Sequence, residues 1–422
     1  MTPNCSAAPA RTTDRLPALI GLARLMTMAF EGADLLPIAQ QLIERASANE
    51  ADADALLDLS TVLQLQGIRD VGLATQAQAL QIQRVYELPA AKAPAIRLLA
   101  LMAPGDLMTN TPLPFLIEDA DIALTLLYLL PGEPIPRELP DHDVAYIAVS
   151  ESDPTRALLE QLAQCVPSWR TPLLNRPNRI TRTSRDQACT LLADAPGVSM
   201  PASARVTRDA LQRVSAGTLD LADLLPDAGL PLIVRPVDSH AGHGLDKVDS
   251  ATALAAYLQA SAADAFFISR FIDYRSADGQ FRKYRVVLVD GVPYAGHMGV
   301  SAHWMIHYLN AGMTESAAKR AEEEAFMRGF ETGFAHHHAT ALRAIAERFG
   351  LDYLVIDCAE TARGELLVFE VDPGAVVHAL VPADLFPYKR APMAKVFAAF
   401  RALLLRSIAA ARREATPPEA AR

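Results

Sequence analysis

The pattern of apolar and polar positions in the first part of the chain predicts helices. Between about residues 15 and 88, four segments place apolar residues at the spacing of one helix face. The segments are LPALIGLARLMTMAF, DLLPIAQQLIERASA, DADALLDLSTVLQLQG and VGLATQAQALQIQRVYEL. The last two together span about 34 residues, the length of a tetratricopeptide repeat. We expect an N-terminal helical domain over 1–92, and the pattern fits a tetratricopeptide-like unit and an ordinary helical bundle about equally well.

The pattern changes after the linker AAKAPA. Short apolar runs typical of buried strands follow, namely IRLLALMAP, IALTLLYLLPG and VAYIAVS. Asp153-Pro154 then begins the helix TRALLEQLAQC, with the aspartate as N-cap and the proline at the first helical position. Strands that alternate with a helix predict a small α/β domain over 93–175.

A second α/β region is predicted over 176–410, so the fold class is α/β, with α+β character. Its strands are LPLIVRP, AFFISRFIDY and the two arms of QFRKYRVVLVDGVPYAG, which are joined by a turn at Asp290-Gly291. The C-terminal segment 411–422 is polar and contains prolines, and it is predicted to be a disordered tail.

Composition narrows the function classes. The chain has 422 residues and a net charge of -10, so non-specific binding to nucleic acid or to an anionic membrane is not expected. No segment resembles a signal peptide or an apolar run of membrane-spanning length. The cysteines Cys5, Cys165, Cys189 and Cys358 are scattered without a CxxC pair, which favours a reducing compartment over a disulfide framework. We expect a cytoplasmic protein.

The stretch from Leu351 to Gly374 places acids among otherwise apolar strand residues. If a two-residue turn centres on Arg363-Gly364, Asp357 lies directly opposite Glu370. Asp372 then shares the face of Glu370, because alternate residues of a strand point the same way. Like charges that face each other destabilise a sheet, so a cation such as Mg²⁺ is expected there. A solvated hairpin face is the simpler alternative.

A second informative stretch is GLPLIVRPVDSHAGHGLDKV, a strand that runs into a loop over 239–244. Glycines in such a loop let backbone N–H groups approach phosphate oxygens closely. Arg235, just before the loop, can hold the same phosphates by charge-assisted hydrogen bonds. The two glycines alone fit a plain turn as well. Together with the basic strand QFRKYR and the acidic hairpin, they indicate a nucleotide–metal site.

This order of strand, glycine loop, basic hairpin, helix and acidic hairpin resembles the ATP-grasp superfamily of carboxylate–amine ligases. Members include glutathione synthetase, D-alanine–D-alanine ligase and the glutamate ligase that modifies a ribosomal protein. The resemblance covers about residues 176–405 and is strongest in DCAETARGELLVFEVDPG. It implies an ATP-grasp fold of two α/β lobes after a small α/β domain, with ATP and Mg²⁺ as cofactors.

The resemblance also implies roles for the residues at matching positions. Asp357, Glu370 and Asp372 would bind Mg²⁺, and Arg285 would be the catalytic residue that contacts phosphate or an acyl phosphate. The ATP-binding set would be Arg185, Arg235, Ser239, Gly242, Gly244, Ser269, Arg270 and Phe271. Two departures concern lysines of the family, which are arginine here at 185 and 235, and a third concerns an asparagine, which is Asp372 here. The arginines keep the positive charge of lysine, and Asp372 still offers an oxygen while it adds a negative charge, so we expect an active enzyme.

Candidate substrate-contacting residues are Arg282, Tyr284, His303, His307 and Asn310. A helix over SAHWMIHYLN would bring the two histidines, spaced i and i+4, onto one face. Without a third ligand nearby, the wall of a substrate pocket is favoured over a zinc site. The triplet 336–338 consists of consecutive histidines, which on a helix point about 100° apart. We therefore expect a partly solvated helix face there rather than a joint metal site.

The best interpretation is an ATP-dependent ligase that activates a carboxylate as an acyl phosphate and joins it to an amine. The alternative is an ATP-binding interaction or regulatory module without ligase activity, and a metal hydrolase is a weaker third. The expected partners are small-molecule or peptide carboxylates and amines. The N-terminal helices leave room for a protein or peptide partner and for a homodimer. No nucleic-acid or membrane partner is expected.

Overall fold

The structure is a computed structural model that describes residues 16–226, 229–239 and 242–415. It divides into two compact units, Met1–Tyr86 and Glu87–Arg422. Helices and several sheets both occur, so the predicted α/β class is confirmed. The finer division at 92, 175 and 410 stays a prediction.

The first unit is helical in its described part, apart from the start of a strand at Val85. They are α1 (Leu22–Phe30), α2 (Leu36–Ala48), α3 (Ala53–Leu65) and α4 (Arg69–Ile82). Apolar residues such as Leu25, Leu42 and Val62 form one buried cluster. A buried carboxylate, Asp58 of α3, accepts hydrogen bonds from the backbone N–H groups just before α1. The tetratricopeptide-like interpretation stays a prediction.

The remaining elements are numbered in chain order. The strands are β1 (Val85–Leu88), β2 (Ile96–Met102), β3 (Ile122–Tyr128), β4 (Val144–Ile147), β5 (Leu173–Leu174), β6 (Val198–Ser199), β7 (Ser203–Thr207), β8 (Leu232–Pro236), β9 (Asp246–Val248), β10 (Ala265–Arg270), β11 (Phe281–Val289), β12 (Val292–Ser301), β13 (Tyr353–Glu360) and β14 (Leu366–Asp372). The helices are α5 (Leu113–Leu116), α6 (Asp153–Cys165), α7 (Pro177–Ile180), α8 (Arg185–Leu192), α9 (Arg208–Ser215), α10 (Leu221–Leu224), α11 (Ala251–Ala260), α12 (Ala317–Gly329), α13 (Phe334–His337), α14 (Ala339–Phe349) and α15 (Arg390–Ala415). Short 3-10 turns cover Val166–Ser168, Thr181–Thr183, Tyr308–Asn310 and Pro387–Lys389.

The first sheet has the order β1-β3-β2-β4-β5, and β2 runs parallel to both of its neighbours. Its central strands β2 and β4 are mostly buried, as expected for near-continuous apolar runs. Residues that follow the carboxyl ends of the strands reach the end of the acidic hairpin. Thr111 donates a hydrogen bond of 3.0 Å to the carbonyl of Pro373, and the Ser150 hydroxyl lies against Gly374.

The second sheet is four-stranded and antiparallel, in the order β7-β10-β8-β9. Its core contains Leu232 and Val234 of β8, which alternate with Ile233 and Arg235 on the other face. Helices α9 and α11 supply buried leucines to the same core. The alternation directs Arg235 away from the core, toward the third sheet and its acids.

The third sheet has the order β12-β11-β13-β14-β6. The predicted hairpin of β11 and β12 is confirmed, with Val289 opposite Val292 and positive φ values of 52° at Asp290 and 73° at Gly291. Such φ values at both central positions are those of the tight turn that suits a twisted hairpin.

The acidic hairpin reaches its predicted register by a different route. Asp357 does pair with Glu370. However, the predicted two-residue turn is wrong, because the loop is three residues long and is closed by bonds between Thr361 and Glu365. That loop alone would shift the pairing by one residue. A β-bulge at Phe369 of β14 restores the register, since Cys358 pairs with Val368 and Asp357 with Glu370.

Two predicted helices differ from the structure. Residues 302–305 form bends rather than a helix, so His303 and His307 do not share a helix face. The segment after α12 breaks twice, at 330–333 and at His338, where the sequence pattern predicts one continuous helix. Val85–Leu88 is likewise a strand rather than the end of a helix.

The C-terminal helix α15 continues to Ala415, into the segment that is predicted to be a tail, and residues 416–422 lie outside the described part. Each helix that the structure describes is too short or too polar to cross a bilayer.

Candidate nucleotide–metal site

Asp357 is the buried centre of the acidic hairpin, with only 5% of its side chain exposed. Arg285 of β11 holds it with two bonds, from Nε to Oδ1 at 2.8 Å and from Nη2 to Oδ2 at 3.0 Å. Lys283, two residues earlier on the same face, places Nζ 2.7 Å from Oδ2. Burial alone would raise the pKa of Asp357, but these two cations bring it well below its ordinary value. The carboxylate is therefore charged and already paired.

Glu370 binds a different cation. Arg185, at the start of α8, donates to Oε1 of Glu370 at 2.6 Å and to the carbonyl of the bulged Phe369 at 3.0 Å. Burial opposes ionisation of Glu370, but Arg185 and Arg235 lower its pKa below the ordinary value. The guanidinium groups of two different segments thus meet at one carboxylate.

Arg235 leaves β8 toward the following loop. It donates hydrogen bonds to the hydroxyl of Ser239 at 3.3 Å and to the carbonyl oxygen of the same residue. Burial, and then the like charge of Arg185, lower its pKa to about 10. Arg235 is therefore still a cation at neutral pH. A further anion bound there would offset the repulsion between Arg235 and Arg185.

Asp372 differs from the other two acids, because its pKa is raised rather than lowered. Burial and the charge of Glu370 raise its pKa to about 7. The backbone N–H of Gly374 donates to its Oδ1 at 2.7 Å. A bound cation would favour the ionised form of Asp372, and so this pair of acids on β14 has the electrostatics of an incomplete cation site.

The glycine loop has the backbone conformation that glycine allows. Gly242 and Gly244 have φ values of 77° and 66°, in the left-handed region. The hydroxyl of Ser239 bonds the carbonyl of Pro236 at 2.8 Å, and Tyr257 donates to the carbonyl of Gly244 at 2.7 Å. Two predicted loop residues, 240 and 241, lie outside the described part.

Three residues of the predicted ATP-binding set, Ser269, Arg270 and Phe271, lie at the end of β10. Ser269 pairs with Ile233, and Arg270 is exposed at the end of the strand. The N–H of Phe271 donates to the carbonyl of Pro231 at 3.1 Å. Around Phe271 lie two residues that the sequence reasoning missed, Lys247 with Nζ at 4.7 Å from the ring centroid and Trp304 at 5.7 Å between rings. A cation and two aromatic rings form a surface that suits a flat base.

A cavity of about 400 Å³ lies beside this surface. It is lined by Leu245, Asp246, Ser301, His303, Trp304, Met305 and Asn310. His307 is close enough to the acidic hairpin that, after burial, Lys283 and Arg285 lower its pKa. The three predicted residues 303, 307 and 310 are thus near the site, although on bends and a 3-10 turn rather than a helix.

Arg282 and Tyr284, predicted to contact substrate, point to the other face of the sheet. Arg282 is bound by Glu322 and, at 2.7 Å, by Asp278. Tyr284 is buried against Phe326 of α12, with ring centroids 4.9 Å apart. Alternation along β11 explains the difference, because 283 and 285 share one face and 282 and 284 the other.

The acids fit Mg²⁺ only together with further oxygen ligands, from phosphate and water. They do not form a compact three-ligand group: within the described residues, that description applies to His337, His338 and Glu360 instead. In nucleotide sites Mg²⁺ takes one or two carboxylates and completes its shell with phosphate and water oxygens. Glu370 and Asp372 fit this requirement, since both offer carboxylate oxygens from alternate positions on one face of β14.

A comparison with protein-family models finds no match, and a comparison with curated proteins finds none either. Solved structures do match. Over 76% of this chain and 100% of the other, it is similar to the D-alanine–D-alanine ligase of Bacillus anthracis complexed with ATP (15% identity, TM-score 0.44).

Two further structures each match over 73% of this chain and 99% of their own. One is the VanG D-Ala:D-Ser ligase of Enterococcus faecalis, at 12% identity and a TM-score of 0.46. The other is a RimK domain ATP-grasp protein of Sphaerobacter thermophilus, at 17% identity and a TM-score of 0.40. At these values the function has to be argued from the residues of the site itself.

Proposed function

We propose that the protein is an ATP-dependent ligase that joins a carboxylate to an amine and releases ADP and phosphate. One observation supports this most strongly. Four cations, Arg185, Arg235, Lys283 and Arg285, converge on the acidic hairpin from three different segments. The four cations exceed the three acids, Asp357, Glu370 and Asp372, in charge. A polyanion such as the phosphate chain of ATP matches this excess.

In this proposal each part of the site binds one part of ATP. Arg235 and the loop over 239–244 bind the phosphates, and the surface of Lys247, Phe271 and Trp304 takes the adenine. Mg²⁺ would be held by Glu370 and Asp372, with Asp357 behind them, and would neutralise charge on the phosphates. Arg185 fixes the carboxylate of Glu370 toward the phosphates through its bond of 2.6 Å.

The chemistry needs no nucleophile from the protein. A substrate carboxylate attacks the γ-phosphorus to give an acyl phosphate and ADP. The amine then attacks the acyl carbon, phosphate leaves, and the amine nitrogen gives up a proton as the amide forms. Arg285 stabilises the anionic acyl phosphate, and its own position is fixed by Asp357 and by a bond of 2.9 Å to the carbonyl of Val376.

The cavity beside the site indicates small substrates. Its volume of about 400 Å³ suits a small molecule or a short peptide, with His303 and Asn310 as polar contacts. One observation favours the second candidate, a nucleotide-binding module without ligase activity. Asp357, a predicted Mg²⁺ ligand, is instead fully paired by Lys283 and Arg285, so its charge is balanced without a metal ion.

ADP release by the purified full-length protein tests the proposal. ATP and Mg²⁺ would be supplied with amino acids, short peptides and polyamines, singly and in pairs. We expect release that depends on a substrate pair, that Arg285→Ala abolishes, and that Arg282→Ala, a neighbour on the other face of β11, retains. ATP binding without release for any pair would favour the binding module. Failure to bind ATP would contradict both candidates.

A further inference from the structure

The sequence predicts a partly solvated helix face for the consecutive histidines 336–338, and in the structure the first two are exposed and the third is buried. The helix breaks at His338, whose φ of -97° and ψ of 17° separate α13 from α14. His338 is consequently buried, with 2% of its side chain exposed, and its Nε2 lies 2.9 Å from Oε1 of Glu360. The break also turns His337 toward the same place, since the two imidazole rings meet at 4.6 Å.

His337, His338 and Glu360 form a compact donor set. Each offers one ligand atom, and these atoms all lie within 4.8 Å of one another. Ligands around a tetrahedral zinc ion are roughly 3.3 Å apart, which follows from bond lengths of 2.0–2.2 Å. His337 is exposed and beside the hairpin loop, so its ring is free of the packing that fixes His338 and can close the remaining gap.

We propose that His337, His338 and Glu360 bind one divalent transition-metal ion of the zinc class. Two imidazoles and a carboxylate form the donor set of many zinc sites, in which water completes the shell. Water can reach the fourth position on the exposed side of His337. Mg²⁺ is a poor occupant, because it prefers oxygen ligands.

The surroundings of the cluster are those of a supported metal site. Tyr284 donates to Oε2 of Glu360 at 3.3 Å, so the carboxylate is oriented from its second oxygen. The ring of Phe334 packs against His338 at 4.6 Å and against Tyr284 at 4.7 Å, which gives the ligands an apolar wall. Tyr284 was predicted to contact substrate and the histidines to lie on a partly solvated face, and the metal site gives them one shared role.

The position of the cluster points to a structural ion. Glu360 ends β13, three residues after Asp357, and alternation places its side chain on the opposite face of the sheet. An ion there would fasten the break between α13 and α14 to the hairpin that carries the acids. It would be separate from the nucleotide site, with a different donor chemistry.

Zinc titration of the full-length protein tests the proposal. The readouts are calorimetry, equilibrium dialysis in a large excess of Mg²⁺, and the visible absorption of bound Co²⁺. We expect one Zn²⁺ per chain that Mg²⁺ does not displace, and a rise in Tm on binding. His337→Ala removes an exposed ligand without disturbing the core and should weaken binding by at least about tenfold, since even the loss of an outer-shell partner has that effect.

Two further variants make the result decisive. His336→Ala, the exposed neighbour outside the cluster, should bind Zn²⁺ like the parent. Glu360→Gln keeps the shape of the side chain but removes a charged ligand, and it should weaken binding and abolish the rise in Tm. The proposal is overturned if the parent does not bind Zn²⁺, if Mg²⁺ competes, or if His336→Ala lowers affinity as much as His337→Ala.

Discussion

Residue type and position along β11 are not enough to assign a role to a charged side chain. Arg282, Lys283 and Arg285 are equally basic in the sequence. Only the structure shows that 283 and 285 bind Asp357 while Arg282 binds Glu322 on the other face. Alternation makes the division predictable once one residue is placed, but the sequence does not say which face carries the acids. This explains why Lys283 was missed and Arg282 was included.

At Arg235 we predict a strong effect on nucleotide affinity. Its bonds to Ser239 hold the start of the glycine loop, and its charge lies beside Arg185 without a carboxylate of its own. Arg235→Ala should weaken ATP binding by about 1.5–3 kcal/mol, the scale of a lost hydrogen bond to a charged group. Arg235→Lys should recover only part, because lysine lacks the planar fork.

Calorimetric titration with Mg·ATP measures this effect, and Arg213→Ala on the exposed face of α9 serves as control. Unchanged affinity in Arg235→Ala would show that the phosphates bind elsewhere.

Elements near the site depend on contacts that no local pattern reveals. The turn of the acidic hairpin could not be predicted from its residues alone. The longer loop shifts the strand pairing by one residue, and the bulge at Phe369 shifts it back. The predicted pairing of Asp357 with Glu370 is correct because burial of one face fixes the register. The break at His338 has no proline or glycine that would mark it in the sequence. It coincides with a tertiary hydrogen bond between His338 and Glu360.

A buried glutamate holds together the elements behind the cavity. Glu323 of α12 is fully buried and accepts bonds from the N–H of Met298 at 3.0 Å, Tyr308 at 2.9 Å and Tyr388 at 2.7 Å. It also pairs with the buried Lys389 at 2.8 Å. This network fixes the 3-10 turn Tyr308–Asn310, whose last residue lines the cavity.

Glu323→Gln should therefore destabilise the protein by about 3–5 kcal/mol, because it leaves Lys389 buried without a counter-charge. Glu324→Gln, the next residue, loses only a surface pair with Arg328 and should change stability by less than about 1 kcal/mol. Urea unfolding followed by Trp304 fluorescence gives both values. Equal effects of the two substitutions would contradict the role assigned to Glu323.

At the scale of the whole molecule, the sequence predicts the α/β class. It also predicts the change from helical spacing to short strand-like runs near the end of the helical segment. The structure places the unit boundary between Tyr86 and Glu87, a few residues before the predicted one. The difference has a local cause, since Val85–Leu88 is apolar at a spacing that suits a helix and a strand alike. Short apolar runs of this kind are decided by tertiary contacts.

The first unit carries its own pH dependence. Asp58 is buried, and burial raises its pKa to about 6 although the N–H groups of Ile20 and Gly21 donate to it. A raised pKa means that the folded unit binds the proton more tightly than the unfolded chain, so this contribution to stability is full below pH 3.8 and is lost as pH rises through about 6.

Between pH 5 and 7.5 the opening free energy of the unit should fall by about 1–1.5 kcal/mol from this group. Hydrogen exchange of the core amides of α3 in the full chain, corrected for intrinsic rates, measures it. Asp58→Asn should remove the dependence, whereas Asp70→Asn, at a surface position, should keep it. A parent protein whose opening free energy is constant over this range would contradict the prediction.

The last prediction concerns the independence of the two units. The residues that form the proposed nucleotide site, from Arg185 to Asp372, all belong to Glu87–Arg422, and the first unit has a buried apolar cluster of its own. A fragment of residues 87–422 should therefore fold and bind Mg·ATP within about threefold of the full chain, a free-energy difference under about 1 kcal/mol. The first unit would then act in substrate delivery or self-association.

Circular dichroism and calorimetric titration of the fragment test this, with Arg235→Ala in the fragment as the control for specific binding. A fragment that does not fold would show that the helices complete the catalytic part, and a folded fragment that does not bind ATP would show that they contribute to the site.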